Sequence, residues 1–296
     1  MIAVQSSEPS LVVPTRRMSF DVALTDLPHH FAEHGDLISS HATAVSSAIF
    51  PHGEEFFVRS VRHFRDRIID PALRRQVAGF IGQESMHGRE HAVLNERLAE
   101  LGYPTRKLAR WTDRLFRSLE RRVSPEFNLA FTAAFEHMTA TLAEWMMDDE
   151  EFRDSMGHPA IRGIFLWHCL EESEHKAVAF DVYRAVGGSE ALRVRTMKVL
   201  QVAFTVTTVT FTVVSLAGDR DTYRPRILWR SLREYASSPL VSKEYRRRLS
   251  EYERHGFHPN DRDTTALVQR WREELFGARG ELSHVLVSEG ASTRMP

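Results

Sequence analysis

The chain has 296 residues, of which 42% are hydrophobic and 27% are charged, a composition typical of a globular protein with a sizeable core. Its formal net charge of −1 gives no electrostatic support for a nucleic-acid partner, and none is expected. The only cysteine is Cys169, which excludes a disulfide framework and a thiolate zinc cage, so any metal must be bound by histidines and carboxylates.

The chain order predicts one helical domain. Residues 1–44 are interpreted as an N-terminal arm and a short lead-in, residues 45–284 as a single all-helical di-metal domain, and residues 285–296 as a flexible tail. Strand patterns bounded by turn signals are absent from the sequence. The predicted fold class is therefore all-α: a ferritin-like four-helix bundle core with additional C-terminal helices.

The first helical pattern starts near residue 52. Glu54 shares an apolar stripe with Phe57 and Val61, whereas Glu55 lies on a polar stripe with Arg59. Glu54, rather than Glu55, is therefore expected to face the core.

The second helix is predicted to begin near Pro71, because proline suits the first turn of a helix, and to stop at the sequence LGYP. One stripe of this helix combines apolar residues with a glutamate and two histidines. Its members are Leu73, Val77, Phe80, Glu84, His87, His91, Leu94 and Leu98.

Two further helices carry polar residues at core positions. The third has Ser124 as its predicted N-cap and places Glu136 on a line with Leu129 and Ala143. In the fourth, which follows Pro159 and is predicted to run to the glycine pair 187–188, one stripe combines apolar residues with three polar ones. Those three are His168, Glu172 and His175.

The segment 199–217, VLQVAFTVTTVTFTVVSLA, carries no charge. Its length would just span a bilayer, but its Thr, Ser and Gln content favours a buried or half-buried helix of a soluble protein. The start of the chain has no secretory pattern, so the expected location is the cytoplasm, with membrane association through 199–217 as the alternative.

Seven polar residues therefore occupy core positions. Four buried carboxylates cannot all stay ionised without compensation, and no lysine or arginine lies on their stripes near them. Two divalent cations would balance four glutamates, and each Glu-x-x-His pair places both side chains on one helix face. The predicted metal ligands are Glu54, Glu84, His87, Glu136, His168, Glu172 and His175, and the four glutamates are also the predicted catalytic groups. Buried carboxylates satisfied by other side chains are the alternative.

The order of these residues resembles that of the ferritin-like di-iron carboxylate proteins. His168 lies one turn before the last Glu-x-x-His, which resembles the p-aminobenzoate N-oxygenase type, with three histidines and four glutamates. The stretches FPHGEEFF, FIGQESMHGREH, EESEHKAVAFDVY and GFHPND also resemble a bacterial family of predicted metal-dependent hydrolases, over about residues 45–260.

These resemblances imply a non-haem di-iron enzyme that activates O2 to oxidise a small hydrophobic or aromatic substrate. The implied cofactors are two iron ions, with manganese or zinc as alternatives, and O2 as co-substrate. An electron donor is an expected partner, and a second copy of the chain, in a homodimer, is an optional one. A di-metal hydrolase is the first alternative, and a non-catalytic protein that stores metal or associates with a membrane is the second.

Several nearby residues have secondary interpretations. His91 is interpreted as a residue behind the ligands or as a packed histidine, with a ligand role as the alternative, and His137 points away from Glu136. Glu171 or Asp181 is a candidate for orienting a ligand histidine, and Cys169 is interpreted as a packed thiol. Aromatic residues that could line a substrate pocket or belong to the core are Phe50, Phe57, Phe80, Phe131, Phe135, Phe165 and Trp167.

Overall fold

The computed structural model describes residues 13–238 and 242–287. Within these ranges the regular structure is helical, with a single β-bridge between Met18 and Leu286, so the all-α prediction is confirmed. The helices are α1 Leu37–His63, α2 Pro71–Glu100, α3 Thr105–Arg122, α4 Pro125–Asp148, α5 Glu150–Asp154, α6 Pro159–His175, α7 Val178–Ala185, α8 Glu190–Ala217, α9 Pro225–Ala236, α10 Lys243–Glu251 and α11 Thr265–Phe276.

The starts of the long helices follow the local sequence. Asp70 accepts a hydrogen bond from Ala72 N and caps α2, and Ser124 accepts one from Phe127 N and caps α4. Each of these helices, like α6, has a proline in its first turn, where a missing N–H costs nothing. The predicted starts of α2 and α4 are therefore confirmed.

Helix α1 is longer than its sequence pattern predicts. It begins at Leu37, capped by Asp36, and continues through Pro51, whereas the helical period is clear only after residue 52. Its first half buries small residues, such as Ser40, Ala44 and Ala48, against neighbouring helices. A face of serine and alanine has little hydrophobic contrast, so periodicity does not reveal it. The polar helix α3, between the second and third predicted helices, was likewise missed.

The fourth predicted helix is two helices in the structure. Helix α6 ends at His175, and α7 starts at Val178. Lys176 lies at this break, where its Nζ donates hydrogen bonds to Glu144 and to the carbonyl of Arg262. The predicted end is correct, because Gly187 has a positive φ of 89° just beyond α7.

Two apolar clusters lie on either side of the polar stripes. Phe80 of α2 belongs to one cluster and Leu94 to the other, so Glu84 and His87 lie between them along the helix. In α4, Phe135 and Met138 on either side of Glu136 belong to the first cluster, and Met147 belongs to the second. The polar residue of α4 thus lies within the first cluster, whereas those of α2 lie between the two.

The segment before α1 packs on this core, with Met18, Phe20 and Leu24 fully buried. The predicted domain limits at residues 44 and 284 stay predictions. Parts of the predicted arm and tail, residues 1–12 and 288–296, lie outside the described residues.

Helix α8 contains the uncharged segment. Phe204 and Phe211 pack towards α1 and α4, but Val202, Val206 and Val213 are each more than half exposed. Among the described residues it is the one helix long and apolar enough to cross a membrane, and 22% of its most apolar window is buried. This is weak support for membrane contact, which stays a prediction.

Candidate metal centre

Four helices bring the predicted glutamates to one place. Glu54 comes from α1, Glu84 from α2, Glu136 from α4 and Glu172 from α6. These glutamates and the three predicted histidines are all at most 5% exposed. The seven residues predicted as metal ligands therefore surround a single buried site, while their role as ligands stays a prediction.

His175 lies closest to the carboxylates. Its Nε2 is 3.1 Å from Glu136 Oε2, 3.2 Å from Glu84 Oε1 and 3.5 Å from Glu172 Oε1. One ring nitrogen thus faces acids from three different helices. The donor atoms of these four residues all lie within 4.8 Å of one another, the spacing expected of ligands to one ion.

A second group lies beside the first. His168 Nε2 is 3.1 Å from Glu172 Oε1 and 3.7 Å from Glu54 Oε1. His87 Nδ1 is 4.0 Å from the same oxygen of Glu172 and 3.7 Å from Glu84 Oε1. Glu54, His87 and His168 form a set within 4.8 Å, so the site has donors for two ions, with Glu84 and Glu172 next to both.

Eight polar atoms that face the site have no hydrogen-bond partner among the described residues. These are both carboxylate oxygens of Glu54, Glu84 and Glu136, together with His87 Nδ1 and His175 Nε2. An unpaired buried polar group costs about 1–3 kcal/mol, and more if it is charged. Eight such atoms directed at one region fit a site for cations, because divalent metals would pair with all of them at once.

The outward-facing nitrogen of each histidine is held by another side chain. His87 Nε2 is 3.0 Å from Glu171 Oε2, and His175 Nδ1 is 2.8 Å from Gln83 Oε1. Because carboxylate and amide oxygens can only accept, each outward nitrogen donates, and the neutral ring presents a lone pair to the site. This arrangement is the one that fixes histidine ligands in metal centres.

A relay of rings orients His168. Its Nδ1 is 2.9 Å from His91 Nε2, and His91 Nδ1 is 2.9 Å from Ser47 Oγ. His91 therefore lies behind a predicted ligand, in agreement with the preferred interpretation of the sequence. Sequence reasoning missed Gln83 and Ser47, because amides and hydroxyls are frequent near charged groups and no spacing distinguished them.

The outer acids are neutralised by arginines from distant segments. Arg16, before α1, lies 2.8 Å from Glu171 and 2.7 Å from Glu174, and Arg272 of α11 lies 2.6 Å from Glu174. Gln83 also donates to Glu174. The carboxylates behind the histidines are thus paired with arginines, whereas the four inner glutamates have only histidines as ion-pair neighbours among the described residues.

The pKa values of the inner acids report this crowding. Burial raises the pKa of Glu54, Glu84 and Glu136 well above its ordinary value, and neighbouring glutamates add to the rise. Burial also acts to raise the pKa of Glu172, but His175 and His168 outweigh it and lower that pKa. The pKa of His175 is raised, because Glu172 and Glu136 outweigh its own burial.

Other candidate residues lie elsewhere. Asp181 pairs with His258 at 2.8 Å and is not one of the acids that orient the site histidines. Glu55 is exposed and pairs with Arg59. The thiol of Cys169 is buried beside Met146, with its pKa raised by burial, as expected of a packed residue.

The aromatic residues divide into two sets. Phe50, Phe80 and Trp167 have ring centroids 4.7–5.0 Å from the rings of site histidines or His91, and Phe165 contacts His91 at 5.4 Å. Phe57, Phe131 and Phe135 stack on one another in the larger apolar cluster. The first set excludes water from the site, and the second set is core.

A cavity of about 660 Å³ reaches the site between α1, α2 and α3. Glu84 and Gly88 are among its lining residues, and a Cβ atom at Gly88 would lie 3.1 Å from Glu54 Oε2. The sequence suggested an apolar pocket, but this cavity is lined largely by polar side chains. Its arginines are Arg59, Arg62, Arg89 and Arg106.

Comparison with known proteins gives one match. Residues 14–263 match the model of a family described as predicted metal-dependent hydrolase, and this range includes all seven residues of the site. No curated protein and no solved structure matches the chain.

Proposed function

The chain belongs to the predicted metal-dependent hydrolase family, and we propose that it is a hydrolase that binds two divalent metal ions at the seven-residue site. The proposal rests on eight buried oxygen and nitrogen atoms at the site that have no hydrogen-bond partner among the described residues and could bind metal. A site built only to pair side chains would leave few such atoms.

The residues divide between two ions. Glu54, His87 and His168 would hold one ion. Glu136 and His175 would hold the other. Glu84 and Glu172 lie near both sets and would complete the ligand shell. Oxygen and imidazole donors without thiolate suit manganese, iron or zinc.

Two divalent ions at such a site lower the pKa of a bound water to near neutrality and polarise the bond to be cleaved. The protein contributes the geometry. Glu171 and Gln83 keep two histidine rings in the tautomer that presents a lone pair inward. Thr139 donates a hydrogen bond to Glu172 Oε2, which leaves Oε1 directed at the three histidines.

The cavity beside Glu84 is the proposed route for the substrate. Its wall carries four arginines, of which Arg62 has no ion pair or hydrogen bond from its guanidinium to the residues described by the structure. Free guanidinium groups bind carboxylate and phosphate well. The substrate proposed for this route therefore carries an anionic group. It also has an apolar portion that contacts Val58 and Ala92 of the cavity wall.

A second candidate function is O2-dependent oxidation by two iron ions. Seven protein donors, four of them carboxylates, support it, because such a set leaves few open positions for a hydrolytic water and suits iron. This candidate needs an electron donor and resembles the p-aminobenzoate N-oxygenase type. The match to the hydrolase family favours the first candidate.

One experiment separates the candidates. Metal-free protein is loaded with Zn²⁺, Mn²⁺ or Fe²⁺, and each form is assayed under nitrogen with chromogenic carboxylate and phosphate esters. Turnover without O2 that is lost in Glu84→Gln and kept in Glu126→Gln, an exposed glutamate away from the cavity, supports the hydrolase. Consumption of O2 by the reduced iron form, without ester cleavage, would replace it with the oxidase. Two bound metals with neither activity would indicate metal storage.

A further inference from the structure

A second cluster of metal-binding side chains lies at the other end of α1. His29 and His30 precede α1, His41 lies in its second turn, and Asp219 directly follows α8. The Nε2 atoms of these three histidines lie 2.8, 2.9 and 3.1 Å from the same oxygen, Asp219 Oδ2. Along α1, His41 is 13 residues before Glu54, or about 20 Å at 1.5 Å per residue, so the cluster is separate from the first site.

Hydrogen bonding alone accounts poorly for this convergence. One carboxylate oxygen has two lone pairs, whereas three ring nitrogens approach Asp219 Oδ2. The other oxygen, Oδ1, is already used, because it accepts a hydrogen bond from Asp221 N at 2.8 Å. A single cation between Asp219 Oδ2 and the Nε2 atoms of His29 and His30, which lie within 4.8 Å of one another, would satisfy all three atoms.

The tautomer of His29 strengthens this point. Its Nδ1 lies 2.8 Å from the carbonyl oxygen of Leu101, which can only accept, so this nitrogen carries the proton. In the neutral ring, Nε2 is then a lone pair that faces the Asp219 carboxylate at 2.8 Å. Two acceptors at that distance repel each other unless a positive charge lies between them.

His41 contacts the same carboxylate from a buried position. Its Nε2 lies 3.1 Å from Asp219 Oδ2, and its ring is almost fully buried. Its Nδ1 is 2.7 Å from Ser215 Oγ, and a hydroxyl can donate or accept, so His41 Nε2 can donate to the aspartate. His41 therefore fixes the orientation of Asp219, whereas His29, His30 and Asp219 have donor atoms within 4.8 Å of one another.

We propose that His29, His30 and Asp219 bind one zinc ion, through Nε2 of each histidine and Oδ2 of the aspartate, and that His41 orients the aspartate. Imidazole and carboxylate are both zinc ligands, and three protein ligands would leave one position of a tetrahedral shell open. Asp219 is 9% exposed, whereas the His29 side chain is 48% exposed and leaves an entry path for the ion.

The consequence for the fold is a cross-link. The site joins the segment before α1 to the end of α8, and His41 of α1 contacts the same aspartate. His29 and Asp219 are 190 residues apart in sequence. Tyr103 covers it, with its ring 4.7 Å from that of His41 and its hydroxyl donating to the carbonyl of His29. Zinc bound only by the folded chain raises its stability by mass action.

The test counts zinc equivalents. The full chain is stripped with a chelator and titrated with Zn²⁺ against a chromogenic competitor. We expect three equivalents in the wild type and two in His30→Ala and in Asp219→Asn. The exposed His63→Ala, at the far end of α1, is the control and should keep three.

The melting temperature is followed in parallel. The third equivalent should raise it in the wild type and in His63→Ala but not in the two site variants. Glu136→Ala should lose an equivalent at the first site while the third remains, so failure of either site is seen separately. A third zinc equivalent that survives in both His30→Ala and Asp219→Asn overturns the zinc site. Loss of all bound zinc in Glu136→Ala would overturn it as well. If His30→Ala does not fold, Asp219→Asn and the stabilisation by zinc decide the question.

Discussion

Glu171 Oε2 lies 3.0 Å from His87 Nε2, and the Oε1 of the same carboxylate is bound by Arg16. The acid that directly precedes the predicted ligand Glu172 in sequence therefore acts on a histidine of a different helix. We predict that Glu171→Gln lowers the affinity of the first site for metal by about 10–100-fold. Competition with a chelator measures this. Asp181→Asn, which alters only the pair with His258, is the control and should keep the wild-type affinity.

Glu136 is the only site residue supplied by α4. We predict that Glu136→Ala reduces the metal bound at the first site below two ions per chain, because it removes a carboxylate 3.1 Å from His175. Elemental analysis of the purified protein measures this. A variant that retains both ions and full activity would exclude Glu136 from the ligand set.

His168 belongs to the group with Glu54 and His87, and not to the group around His175. We predict that His168→Ala keeps the metal ion beside His175 but weakens binding of the ion beside Glu54 and His87. The first site should then hold between one and two ions. Turnover should fall more than metal content, because both ions are needed for the chemistry. The exposed His255→Ala should leave both quantities unchanged.

The metal-free protein should become less stable as the pH rises. The pKa values of Glu54, Glu84 and Glu136 are raised in the folded state, so the folded chain binds more protons than the unfolded chain above pH 4.5. The contribution of these three glutamates to the free energy of unfolding is fully present below that pH. It is lost as the pH rises through their pKa values in the folded state. The lowered pKa of His168, about 4, acts in the opposite sense only below pH 6.5.

The measurement is therefore made between pH 7 and 9. We predict that the melting temperature of the chelated protein falls by several degrees over this range. Metal-loaded protein should not show this fall, because the bound ions hold the glutamates ionised. Equal pH profiles for the two forms would contradict the assignment of these acids as ligands.

Gly88 lies against a glutamate of the site. A Cβ atom at this position would be 3.1 Å from Glu54 Oε2, which is tighter than ordinary contact. We predict that Gly88→Ala weakens metal binding, despite the roughly 1 kcal/mol that alanine contributes in a helix. Gly53→Ala, whose Cβ would meet Phe116 at an ordinary 3.7 Å, is the matched control. It should raise the melting temperature without changing metal affinity.

The sequence by itself determined the helical class and the choice of inward-facing acids. Glu54 was selected over Glu55 by helical period, and the structure buries Glu54 and exposes Glu55. This succeeded because an α-helix fixes which side chains share a face, so a local pattern carries the information. The same logic missed the first half of α1, where small residues give no contrast, and the break after His175, where Lys176 contacts Glu144 and residue 262.

Only the tertiary structure decided what surrounds those acids. The partners of the site histidines, Gln83, Glu171 and Ser47, come from positions that no spacing connects to them. The contacts of His29, His30 and His41 with Asp219 could not be predicted from the sequence either, because His29 and Asp219 are 190 residues apart. Contacts between distant segments depend on how whole helices pack, and a linear pattern does not encode the directions in which separate helices point.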